Sequence, residues 1–229
     1  MGKNEISFLS YRLLEPGTFF SDLLMAFACY YFYSSIKKVS INKYHNQISL
    51  FFLFMGFSSF TGAFAHFLVL YTGKSLHYVS WILTGISVFF IEYGVSSHIS
   101  SEKKRNRYLL MIKVKLLIFF IIASVLMNFL FVKINTAIGL LGIVFPILLY
   151  HVIKFDKKCY LYILLGIFLA LIPAFFHNAK FYFVGVFNMN DLSHFFLIIC
   201  LFLVYYGLKN GIVNQQLDVV EELSVKLNA

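Results

Sequence analysis

Long apolar runs, separated by short clusters of lysine and arginine, constrain this chain more than any other feature. Most reach roughly 20 residues, the length a helix needs to cross a hydrocarbon layer about 30 Å thick. Hydrophobic residues make up 60 % of the 229, charged residues only 13 %, and the mean hydropathy is +0.82. A water-soluble globule of this size could not hide so much apolar surface. The runs are also too long and continuous for the alternating segments of a membrane β-barrel. Helices satisfy their own backbone groups, as hydrocarbon demands. The expected fold class is therefore all-α, a polytopic integral membrane protein built as a bundle of about seven transmembrane helices.

Apolar runs between charged or turn-forming breaks give the expected spans Thr18–Ile36, Gln47–Thr72, His77–Ile99, Tyr108–Val132, Thr136–Ile153, Cys159–Phe176 and Asn190–Leu208. The chain then divides into a short outer segment (1–17), a transmembrane domain (18–208) and a cytoplasmic tail (209–229). The first 17 residues hold no apolar stretch of a signal peptide. Ile6 stands where a myristoylation motif after Met1-Gly2 wants Ser or Thr. Cys29, Cys159 and Cys200 have no metal-like or paired spacing and read as apolar filler. The tail carries Leu217, Val220, Leu223 and Leu227 at near-helical spacing, which suits either an extension of the last helix or a segment lying against the basic loops.

Charge fixes the expected orientation. One set of loops and the tail carries twelve Lys and Arg, including Lys37, Lys38, Lys43, Lys103–Arg105, Arg107, Lys154, Lys157 and Lys158. The opposite side carries five: Lys3, Arg12, Lys74, Lys133 and Lys180. This bias puts the N-terminus outside and the C-terminus in the cytoplasm. It also accounts for the net charge of +9 without nucleic acid, and makes membrane lipids the expected partners. Short loops and absent processing signals point to a bacterial inner membrane.

Ionisable residues inside a span are costly, so their positions are the best functional pointers. Asp22 lies about 6 Å below the outer start of the first span, at 1.5 Å per residue. His66 is at similar depth in the second, His77 opens the third and His177 follows the sixth. Asp191 and His194 share a face at the outer start of the seventh, and Glu15 lies close to the same layer. Two imidazoles and a carboxylate suit a zinc site with a fourth position for water, so His66, Asp191 and His194 are expected ligands. Asp22 is then a general base or a carboxylate that orients a ligating imidazole. Without a metal, the same residues suit cation binding or proton relay. His77 and His177 also fit ordinary interface positions, and Asp22 a plain inter-helix hydrogen bond. An inner group, Glu92, Lys113, Lys115, Asn128 and His151, reads as structural, with Glu92 neutralised by a lysine of the fourth span. His45 and His98 read as interface residues.

Two short segments carry a resemblance. Gly62-Ala63-Phe64-Ala65-His66 and Asn190-Asp191-Leu192-Ser193-His194 resemble the Ser-x-x-x-His and His-x-x-x-His motifs of the CREST superfamily, which includes alkaline ceramidases and adiponectin-receptor-like proteins. The resemblance implies a seven-helix membrane hydrolase that uses zinc to cleave lipid amides or esters. His66 and His194 match; Gly62 replaces Ser and Asn190 replaces the first His, so Asp191 would supply the third ligand and Ser59 is a substitute hydroxyl. The stretch Phe187 to His194, with Tyr206 and Gly207, also resembles an uncharacterised group of bacterial seven-helix proteins that often has His at the position of Met189.

The leading expectation is a metal-dependent membrane hydrolase of lipid amides or esters, with zinc near the outer leaflet. The alternative is a non-enzymatic transporter, ion-binding protein or sensor using the same cluster. Retinal is excluded because the last span has no lysine before Lys209.

Overall fold

The computed structural model of the chain describes residues 5–8, 11–40, 42–176 and 189–227. The first described element is an antiparallel hairpin, β1 (Glu5–Phe8) and β2 (Tyr11–Leu14), and every later described element is a helix. Helices α1 (Pro16–Val39) and α2 (Lys43–Phe67) come first. A short α3 (Val69–Thr72) leads to α4 (Ser75–Val95), which closes in a 3-10 turn, and then α5 (Glu102–Leu126). Helix α6 (Phe129–Ala137), a π-helical segment (Ile138–Val144) and α7 (Phe145–Phe155) follow without a break. The chain ends with α8 (Cys159–Leu169), α9 (Leu171–Phe176) and the long α10 (Met189–Leu227).

Among the described residues, five segments are long and apolar enough to cross a membrane: Lys43–Phe67, Ser75–His98, Glu102–Leu126, Phe129–Phe155 and Met189–Val213. Helix α1 has the length, 24 residues, but dilutes its apolar content with Asp22 and several Ser and Tyr. Helix α8 has only 11 residues.

Capping decides where the helix ends depart from the apolar runs. The Asn42 side chain accepts from the His45 N–H at 3.0 Å, which starts α2 ahead of Gln47. Met127, at φ 42°, ends α5 at Leu126, short of the expected Val132. Asn128 then caps α6 by accepting from the Leu130 N–H at 2.9 Å, so Lys133 lies inside a helix and not in a loop. At the other end, α10 runs unbroken past Leu208 to Leu227, so the tail is a helical extension.

Contacts give the directions of the helices. Gly56 faces Cys29 and Gly62 faces Asp22, so α1 and α2 are antiparallel. Ser58 bonds the hydroxyls of Ser80 and Thr84, and Ser87 donates to the Phe51 carbonyl, which makes α2 and α4 antiparallel. Gly85 meets Phe119 across the α4–α5 seam. Helix α10 is antiparallel to α8 but parallel to α1, with Thr18 beside Asp191, Ser21 beside His194 and Ser35 beside Tyr205.

Polarity is inverted relative to a water-soluble bundle. Val125, Leu117 and Ile121 of α5 point outward, Val125 being 74 % exposed, whereas Thr18, Ser49, Ser87, Glu92 and Asp191 are buried in the seams. The α8–α10 seam shows how closely helices approach without side chains between them. A Cβ on Gly166 would sit 2.7 Å from the Cys200 carbonyl oxygen, and one on Gly207 2.7 Å from that of Cys159. Gly166→Leu and Gly207→Leu should each destabilise the detergent-solubilised protein by about 1–3 kcal/mol through overpacking. Gly142→Leu, where a Cβ meets nothing within 4 Å, should leave the thermal midpoint unchanged.

Candidate functional site

Thr18, Ser21 and Asp22 stand three and four residues apart on α1, so they share one face. Asp191 and His194 do the same on α10. Because these helices run parallel, the two sets meet rung by rung. Thr18 Oγ1 donates to Asp191 Oδ1 at 2.7 Å, Ser21 Oγ lies 2.9 Å from His194 Nδ1, and His194 Nε2 lies 3.5 Å from Asp22 Oδ1. Asp191 is fully buried and Asp22 is 4 % exposed, and the two carboxylates are near enough to feel each other's charge. The second oxygen of Asp22 reaches the α2–α4 seam. A Cβ on Gly62 would lie 3.2 Å from it and 3.4 Å from Ser80 Oγ. Gly62, found where the resembled motif has Ser, thus leaves room for the Asp22 carboxylate.

The imidazole of His194 has two consistent proton arrangements. Ser21 Oγ also lies 3.1 Å from the Thr18 carbonyl and can donate to it, in which case the proton sits on Nδ1 of His194. Alternatively Ser21 donates to Nδ1 and the proton sits on Nε2, facing Asp22. Passing from one to the other takes a turn of the Ser21 hydroxyl together with loss of the imidazole proton at Nδ1 and gain of one at Nε2, beside Asp22.

His66 belongs to a second group. Its Nδ1 lies 2.7 Å from Glu15 Oε2, and its ring meets His77 edge-on at 4.8 Å between centroids. Glu15 is left-handed, φ 51° and ψ 55°, directly before Pro16. That conformation costs of order 1 kcal/mol and is kept only where surrounding contacts require it. Here it turns the carboxylate at the start of α1 toward α2.

The expected zinc ligands are therefore divided. Asp191 and His194 are together on α10, beside α1, whereas His66 is engaged with Glu15 and His77. Among the described residues, no group of three or more His, Cys, Asp or Glu is arranged to hold a metal ion. Ser59 is buried on α2, but its neighbour Ser58 bonds to Ser80 and Thr84. Asn190 is half-buried in the first turn of α10, and His177 lies outside the described residues.

The expected inner group also separates. Glu92 pairs with Lys115 at 2.6 Å, whereas Asn128 caps α6 at the far end of that helix. His151 packs edge-on against His98, whose Nε2 lies 2.7 Å from Tyr160 Oη. Sequence reasoning overlooked Thr18, Ser21 and Asn135. The first two were recoverable from their i, i+3 and i+4 spacing around Asp22. Thr18→Val removes the donor to a fully buried carboxylate and should cost about 1–3 kcal/mol, read as a lowered thermal midpoint. Thr18→Ser should keep most of that stability.

No curated protein and no solved structure is detectably similar to this chain. Residues 17–212, which hold both groups apart from Glu15, match the family of unknown function DUF6962. The chain belongs to that family.

Proposed function

We propose an integral membrane protein that handles protons or a cation, as a transporter or sensor, through Asp22, Asp191 and His194. In this reading α1, α2, α4, α5, α6–α7, α8–α9 and α10 each cross the bilayer. Residues 159–176 reach about 27 Å at 1.5 Å per residue, close to a hydrocarbon thickness. The basic loops lie inside, so the N-terminal hairpin is outside a bacterial cell membrane and the end of α10 is cytoplasmic.

The observation that carries the proposal is the ladder between α1 and α10. Two buried carboxylates and a half-buried imidazole are joined by two hydroxyls in a fold whose outer surface is apolar. Such groups are costly in a bilayer, and their usual employment there is binding or relaying a charge. Ser21 and Asp22 are 3 % and 4 % exposed, which favours a proton or small ion over a bulky substrate. Infrared difference spectra of the purified protein during a pH titration should show a carboxyl protonation band. That band should weaken in both Asp22→Asn and Asp191→Asn. A spectrum identical in wild type and both variants sinks the proposal.

A second reading, hydrolysis of lipid amides or esters, is favoured by the position of His194 between a hydroxyl and a carboxylate. That is the disposition of a general base beside its nucleophile. It predicts fatty acid release from lipid amides or esters, falling about 100-fold or more in His194→Ala. A metal version requires the purified protein to carry zinc that is lost in both His66→Ala and His194→Ala. Lack of turnover on such lipids, with or without added zinc, leaves the charge-handling reading alone.

A further inference from the structure

A different cluster lies where α4, α5 and α6 meet. Lys115 of α5 directs its ammonium at three oxygens from the other two helices: Glu92 Oε1 at 2.6 Å, Asn135 Oδ1 at 3.0 Å and the Asn135 carbonyl at 3.4 Å. Glu92 is fully buried and Asn135 is 5 % exposed. Glu92 Oε2 and Asn135 Nδ2 have no hydrogen-bond partner among the described residues. A second backbone feature adjoins them. The π-helical segment starts at Ile138, three residues after Asn135, and its Gly139 packs directly on the pair. A Cβ on Gly139 would lie 2.5 Å from Glu92 Oε1 and 3.2 Å from Lys115 Nζ. π-helical turns are rare and concentrate at functional sites. Tyr108 Oη donates to the Glu92 carbonyl at 2.8 Å and ties α5 to the same place on α4.

The geometry points to a monovalent-cation site formed by Glu92 and Asn135, in which the Lys115 ammonium is a tethered occupant that a free ion replaces. Three oxygens converge on one positive centre, matching the three N–H donors of the ammonium and offering the same oxygens to a free cation. The spare Glu92 Oε2 supplies a further ligand to an ion that lacks the three hydrogens of an ammonium. Charge selects the valence. Exchanging the ammonium for a monovalent ion leaves the buried charge unchanged, whereas a divalent ion adds a positive charge in a low-dielectric seam. The ammonium also has a way out. It sits on a flexible four-carbon stem, so it can leave the three oxygens without movement of the helix backbone. The site is separate from the α1–α10 ladder and stands whether or not that ladder handles protons.

The test is equilibrium binding of radiolabelled sodium and rubidium to the full-length purified protein. Lys115→Ala should bind about one ion per chain, roughly tenfold tighter than wild type. Lys115→Ala/Glu92→Gln, which removes both buried charges, should lose that binding. A Lys115→Ala protein that is folded, by its helical circular dichroism, yet binds no more ion than the double variant overturns the proposal. Wild-type thermal unfolding gives a second readout that needs no Lys115 variant. The midpoint should be higher in sodium or potassium chloride than in N-methylglucamine chloride at equal ionic strength, with the difference absent in Glu92→Gln. Equal midpoints in all three salts for the wild type likewise overturn it.

Discussion

In an apolar surrounding, a polar side chain is tolerated only where another polar group meets it, and this requirement organises the whole bundle. Three seams show such bonded sets. Thr18, Ser21 and Asp22 meet Asp191 and His194 between α1 and α10, and Ser58, Ser80 and Thr84 join α2 to α4. Glu92 and Lys115 join α4 to α5, with Asn135 of α6 completing the group. Outward faces carry Phe20, Phe27, Leu117 and Val125, which ask nothing of a hydrocarbon neighbour.

Small residues set how close those seams come, and therefore which polar groups can touch. Gly62 lets the Asp22 carboxylate lie against α2 while the same side chain faces His194 on α10. Gly139 admits Glu92 and Lys115 to the π-helical segment, and Gly166 and Gly207 bring α8 onto the backbone of α10. Gly62 and Gly139 thus set the distance across which charges and hydroxyls pair, and a side chain at either would crowd the Asp22 or the Glu92 carboxylate.

The apolar runs made the helices and their order legible, since length and continuity alone distinguish such segments. Pairing of Glu92 with a lysine was also legible, because a buried carboxylate needs a cation and Lys115 was on the next helix. Helix ends were less so: Met127 and Asn128 stop and restart the backbone inside a stretch that is apolar throughout. Depth placed Asp22, His66, Asp191 and His194 in one layer, but depth carries no information about rotation around each axis. His66 turned out to face Glu15, whose left-handed backbone has no counterpart in a hydropathy pattern. Thr18 and Ser21 were invisible to a search for ionisable groups, although they hold the carboxylate and the imidazole in position.

The parallel contact of α1 with α10 has a consequence for how the protein is made. Its first long helix and its last are neighbours, with 173 positions of sequence between Thr18 and Asp191. Synthesis delivers α1 long before α10 exists, so Asp22 is made without His194 and Thr18 without its carboxylate. Every intervening helix must be threaded while that seam stands open. Closure by α10 is then the step that completes the seam, and a truncation ahead of Met189 would leave Thr18, Ser21 and Asp22 without the partners that α10 supplies.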